Sequence, residues 1–290
     1  MDRKLEEGAR KIILAVWLGL TCLFCAAAAA AQSADEVEKS IANLPPEQRA
    51  WERFRFWINS LPPEQHDGQV EARYRAYLKT RGFSEAEIGA QIKLVDEQGE
   101  HSEVERWNQI LTAEKPRFNI RPNAFLMEIA KTRKSGTALD VGMGQGRNAI
   151  WLAQQGWDVT GFDPAEKAVA LARENARKLG VSLKAEIKRM EDFDFGERRW
   201  DLILLSYVGA RGMTEKVQRA LKPGGVVVIE AFHRDATKGG PIGGAVVFDT
   251  GELVSLFPQL RVVRYEEPVA EADFGLDKVR LVRYCGERPE

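Results

Sequence analysis

Residues 138–148 read Ala-Leu-Asp-Val-Gly-Met-Gly-Gln-Gly-Arg-Asn, and their types and spacing describe a ligand cradle. Gly142, Gly144 and Gly146 occupy alternate positions between the apolar run Ala138, Leu139, Val141 and a helical pattern that opens at Asn148. Glycine admits positive φ and leaves no Cβ in the way, so backbone can approach a ligand closely. The free N–H groups of the helix start face the same space. A dinucleotide turn reads G-x-G-x-x-G. Here the third glycine comes one residue early, and Arg147 stands where a dinucleotide site needs glycine. Asp140, two residues before the first glycine, would crowd a pyrophosphate but suits a cationic ligand. A nicotinamide-dependent oxidoreductase is therefore disfavoured. Downstream, Trp157–Asp163 reads as a short second strand ending in an acid. A carboxylate at that tip can accept hydrogen bonds from both hydroxyls of a ribose. Asp163 also precedes Pro164 and a helical run, so it suits a helix cap, and the two readings are compatible.

The spacing Asp-x-Gly-x-Gly-x-Gly resembles the first motif of the class I S-adenosylmethionine-dependent methyltransferases. The resemblance implies S-adenosyl-L-methionine as cofactor, with the glycine turn along its methionine part and Asp140 helping to orient that part. It implies an adenine contact from an acid past the third strand, which falls on Asp192 with Glu191 beside it. Arg147 and Asn148 at the helix start, and Ser206 where the fourth strand runs out, complete the cofactor-binding set. Arg147 suits an anionic acceptor or an ion pair as well. Gly-Gln-Gly-Arg-Asn before a short apolar helix, and Phe248-Asp-Thr-Gly-Glu-Leu leading into another, narrow the resemblance toward the tellurite-resistance-type small-molecule methyltransferases. Lys115–Phe125 belongs with it as a segment that helps cover the methionine end. Residues 115–288 carry the resemblance.

These residues need a sheet to position them, and the chain supplies one. Beyond 138–141 and 157–163, strands are expected at Val181–Arg189, Trp200–Tyr207 and Lys222–Glu230. A helix is expected at Asp249–Phe257, then alternating strands at Leu260–Tyr265 and Val279–Tyr284. Continuous apolar runs suit buried parallel strands, and alternating runs suit an antiparallel edge. The expected fold is α/β: a Rossmann-like, doubly wound, seven-stranded, mostly parallel sheet with an antiparallel last strand, preceded by a small helical segment.

The chain has 290 residues, with 42 basic and 43 acidic side chains. Charges of both signs are well mixed, so the electrostatic footprint of a nucleic-acid binder is lacking. Ser206-Tyr207-Val208-Gly209 stands where base-flipping amino-methyltransferases carry Asn/Asp-Pro-Pro-aromatic, which argues against a DNA base. A small-molecule methyl acceptor is expected. In-line transfer from a sulfonium needs mainly proximity and exclusion of water, and a base only where the acceptor carries its proton. Of His66, His101 and His233, the last follows the fifth strand and is the candidate catalytic base. The spacing of His and Cys suggests no metal site.

Three regions are expected: 1–34, 35–112 and 113–290. Residues 12–31 are uncharged, follow Arg3, Lys4, Arg10 and Lys11, and end in alanines. That pattern reads as a signal peptide, or as a membrane anchor if uncleaved. Either directs the enzyme to export or to the membrane, in tension with a cofactor made in the cytoplasm. Residues 35–112 read as a helical lobe. Leu-Pro-Pro-Glu-Gln opens helices at 44–48 and 61–65, Ser84–Glu87 is a capping box, and Trp51, Phe54, Phe56 and Trp57 form an aromatic stripe. The stripe is expected to be a packing face and the lobe a cover over the site. The competing function is a catalytically silent cofactor-binding protein whose partner docks on the lobe.

Overall fold

The computed structural model describes residues 34–61, 65, 69–239 and 244–290. The leader, His66 and most of the second Leu-Pro-Pro-Glu-Gln copy lie outside the described residues. The chain divides into two compact units, Met1–Arg106 and Trp107–Glu290.

In the first unit, α1 (Ala34–Ile41), α2 (Pro46–Ser60), α3 (Val70–Thr80) and most of α4 (Glu85–Leu111) are helical. Proline at the first turn of α2 fits there because its missing N–H would have no helical partner. The expected capping box at the start of α4 forms reciprocally. The Ser84 N–H donates to Glu87 Oε2 (2.8 Å), and the Glu87 N–H donates to Ser84 Oγ (3.3 Å). Trp51, Phe54 and Trp57 turn inward against Tyr74 and Leu78, with Phe54 and Tyr74 edge to face at 5.0 Å. The aromatic stripe is a packing face of this unit.

The second unit is the α/β domain. Its sheet runs β3 (Lys184–Ile187), β2 (Asp158–Asp163), β1 (Thr137–Val141), β4 (Trp200–Ser206), β5 (Leu221–His233), β9 (Lys278–Glu287), β7 (Arg261–Glu266). The first five are parallel, and β9 is antiparallel to both its neighbours. The last strand in sequence is thus the antiparallel one, as expected. Two short strands lie off this path: β6 (Val247–Phe248) beside β5 and β8 (Val269–Glu271) beside β9. Period two decides which face each residue serves. Leu139, Val141, Ile203, Leu205, Val227 and Ile229 pack under α8 (Thr214–Ala220) and α9 (Glu252–Leu256). Ala138, Leu202, Leu204, Val226 and Val228 pack under α5 (Ala124–Lys131) and α6 (Arg147–Gln154). Both faces are covered, which is why the parallel strands are continuously apolar.

Helix α4 ends at Leu111, beside the expected boundary at 112, but its final turn belongs to the second unit. Asn108 accepts the Lys167 N–H (2.9 Å) and donates to Glu166 (3.0 Å), so it caps α7 (Glu166–Lys178) from outside. Leu111 packs with Phe118, Ala165 and Ala168.

Candidate active site

Strand β1 lies between β2 and β4 and delivers the glycine turn to the carboxyl edge of the sheet, where open α/β sheets bind ligands. Gly142, Gly144 and Gly146 have φ of +64°, +54° and +80°, the left-handed region that glycine occupies freely. Space restricts the turn too. A Cβ on Gly142 would lie 2.7 Å from Val208 Cγ2, and one on Gly146 would lie 2.9 Å from Ala172 Cβ. Gly146 caps α6.

Asp140 alternates onto the face covered by α6 and is 1 % exposed. Burial raises its pKa to about 7; the Arg147 charge and the Ala149 backbone N–H oppose the shift without overcoming it. Its Oδ2 is buried with no hydrogen-bond partner among the described residues. Asp163 is also buried, and its pKa is likewise raised by burial. Its oxygens accept the Ala165 N–H (2.8 Å) and the Gly144 N–H (3.0 Å). The acid at the tip of β2 therefore both starts α7 and holds the glycine turn. Each oxygen keeps a lone pair for a further donor.

Arg147, the first residue of α6, turns back across the sheet edge. It pairs with Asp273 (2.7 Å), donates to the Arg121 carbonyl (2.8 Å) and reaches Ser206 Oγ (3.4 Å). The ion-pair reading of Arg147 is the observed one. Asn148 accepts the Asn123 N–H (2.8 Å) and is buried. Asn123 then bridges two carboxylates, donating to Glu230 Oε1 (2.6 Å) and Asp273 Oδ2 (2.8 Å). Arg283 closes the far side on Glu230 Oε2 (2.6 Å). Burial pushes the Glu230 pKa up and Arg283 pulls it back. Tyr207, just past β4, donates to Glu230 Oε1 (3.0 Å) and accepts the Asp273 N–H (3.1 Å).

Glu191 and Asp192 lie in an exposed turn past β3, where an approaching ligand can reach them. His233 ends β5 in a different network. Its Nδ1 accepts the Asp235 N–H (3.1 Å), so Nε2 carries the proton and donates to Thr250 Oγ1 (3.0 Å). Both ring nitrogens are engaged within the protein. Asn123, Tyr207, Glu230 and Asp273 join the site without being marked by any sequence motif. Tyr207 alone carries a local signal, an aromatic residue immediately after an apolar strand.

A Cβ-free turn in front of a buried, unpartnered carboxylate oxygen fits a cofactor that brings a cationic end to Asp140. Residues 138–225 match the family model described as a methyltransferase domain. The probable S-adenosyl-L-methionine-dependent methyltransferase TehB of Haemophilus influenzae (strain 10810) is 24% identical over 152 residues, covering 50% of this chain and 53% of that protein. A ubiquinone biosynthesis O-methyltransferase of Paramagnetospirillum magneticum is 34% identical over 105 residues, 34% of this chain and 42% of that one. The chain thus spans about half the length of the curated relatives it matches. Among solved structures, N-methyltransferase NodS of Bradyrhizobium japonicum WM9, in complex with S-adenosyl-L-homocysteine, superposes with a TM-score of 0.51 at 18% identity. That match covers 64% of this chain and 98% of NodS and shows the shared fold. These likenesses support a class I S-adenosylmethionine-dependent methyltransferase domain that leans to the TehB type, with S-adenosyl-L-methionine as its cofactor.

Proposed function

We propose that this enzyme transfers the methyl group to a small-molecule acceptor held at the carboxyl edge of β4 and β5. The observation that supports this best is the buried polar network beside the glycine turn, which joins Arg147, Asn123, Asp273 and Glu230 and fixes the half-buried Tyr207 at that edge. Bound cofactor supplies an activated methyl on a sulfonium. The protein's work is to hold both partners in line and keep water out. Gly142, Gly144 and Gly146 with Asp140 would hold the methionine part, Asp163 the ribose, and Asp192 with Glu191 the adenine. Ser206 and Asn148 border the same edge. The O-methyltransferase among the similar proteins supports a small acceptor.

Calorimetric titration of the purified protein with S-adenosylmethionine and with NADH tests the first half of this reading. Binding of NADH alone would overturn it. Cofactor binding with no methyl transfer to phenols, thiols, amines or oxyanions would favour the silent binding protein instead. Residues 1–34 supply the further proposal that the domain is exported or anchored. Reporter fusions after residue 34 would decide which side of the membrane it occupies, and a wholly cytoplasmic reporter would remove that proposal.

A further inference from the structure

Tyr207 sits at φ +57°, an uncommon conformation for a residue with a side chain. Such strain persists only where the surroundings over-determine it. Here they do: the Tyr207 N–H donates to the Glu230 carbonyl (2.8 Å), and the hydroxyl is fixed by the Glu230 carboxylate and the Asp273 N–H. Its neighbours place it against the cradle. Ser206 lies 3.4 Å from Arg147, and Val208 fills the space that a Cβ on Gly142 would take.

The groups around the hydroxyl are committed to one another. Glu230 receives Asn123, Arg283 and Tyr207, while Asp273 receives Arg147, Asn123 and Asn119 (2.9 Å). A phenol has one O–H to give and two lone pairs, so Tyr207 Oη keeps one lone pair after these bonds. Tyr207 is partly exposed, whereas Glu230 is buried. Phe232 and Phe274 flank its ring edge-on, with centroids at 5.0 and 5.4 Å.

Resting on the methyl-transfer reading above, we propose that Tyr207 is the acceptor-facing catalytic residue and that the acceptor is an aromatic hydroxyl compound. The acceptor O–H donates to the free lone pair of Tyr207 Oη. As the acceptor oxygen forms its bond to the methyl carbon and the carbon–sulfur bond breaks, the acceptor proton moves to Tyr207 Oη. The proton of Tyr207 moves to Glu230 Oε1 in the same event, so charge and atoms balance without an outside base. The half-buried Phe274 beside the Tyr207 ring suits an aromatic acceptor by edge-to-face contact. The raised pKa of Glu230 fits a carboxylate able to take a proton.

The test uses the full protein saturated with S-adenosylhomocysteine, titrated by calorimetry with phenol and with anisole, which lacks the donor proton. The wild type is expected to bind phenol roughly tenfold more tightly than anisole, the size of one well-placed hydrogen bond. Tyr207→Phe should erase that preference while holding S-adenosylhomocysteine within about twofold, and Glu230→Gln, whose amide cannot take the proton, should abolish methyl transfer to phenol, with S-adenosylhomocysteine binding reporting that the fold is kept. No preference for phenol in the wild type, or a preference that survives Tyr207→Phe, overturns the proposal with the cofactor reading intact. Loss of S-adenosylhomocysteine binding by the wild type would instead overturn the cofactor reading.

Discussion

Asp140→Asn isolates the electrostatic cost of the cradle. In an unfolded chain this carboxyl titrates near its ordinary value of 3.8, and in the folded protein near 7. Between those values the native state holds more protons than the unfolded state, so the stability contributed by this group falls as pH rises. The gap between the two values corresponds to about 4 kcal/mol when both states are ionised. At pH 5 the same linkage gives about 2 kcal/mol, so Asp140 alone should weaken the fold by roughly a further 2–3 kcal/mol between pH 5 and pH 8. Asparagine removes the titration. Any constant cost of its unpaired amide cancels when the two pH values are compared. Urea melts of the wild type and Asp140→Asn at both pH values give this difference of differences, equivalent to on the order of 5–10 °C in melting temperature for a domain of this size. Parallel pH dependences for the two proteins would refute the argument.

The same residue predicts the opposite sign for the cofactor. A cation near Oδ2 favours the ionised form, so binding at pH 6 should release a proton and tighten as pH rises toward 8. In Asp140→Asn both effects should disappear and affinity should fall. Calorimetry in buffers of different ionisation enthalpy reads the released proton directly.

Other perturbations separate binding from folding. Gly144→Val forces a β-branched residue into φ +54° with Leu111 Cδ2 only 3.1 Å from the new Cβ, and should abolish S-adenosylmethionine binding while far-UV circular dichroism stays native. Unchanged affinity would remove the cradle argument. Arg147→Ala strands a buried Asp273 and should destabilise the domain by about 3–5 kcal/mol in urea melts, with Arg147→Lys recovering part; a loss under ~1 kcal/mol would show that the pair is solvated. Burial raises the Cys285 thiol to about 11, so with Cys22 and Cys25 replaced by serine the native protein should resist a thiol reagent at pH 8 and react only on unfolding.

The sheet was legible because its signals are local. Trp200–Ser206 and Val226–Ile229 are apolar almost without interruption, as burial on both faces requires, and the glycine turn is written in consecutive residues. Strands β6 and β8 span too few residues to show a period. The site's polar network was illegible for a different reason. Asn123 meets Glu230 and Asp273 across separations of 107 and 150 residues, and nothing near position 123 announces either partner. His233 shows the converse case. A histidine after β5 is well placed in sequence, but its two ring nitrogens go to Asp235 and Thr250, a use that only tertiary contacts reveal.

The buried carboxylates of the site obey two different rules, and the contrast locates its purpose. Glu230 and Asp273 each receive donors on both oxygens, including an arginine apiece, so their burial is compensated from within the protein. Such a network fixes side chains in place but offers a ligand little beyond the Tyr207 lone pair. Asp140 lies on the same edge with one oxygen unsatisfied, and among the described residues no ion pair completes it: Arg147, whose charge acts on it, is spent on Asp273. Stability alone would favour an apolar side chain there, since an uncompensated buried carboxylate is among the more costly groups a core can hold. The arrangement is consistent if the missing partner arrives from outside with positive charge. The domain is then less stable empty than loaded, and the free energy set aside at Asp140 is released when the cofactor binds.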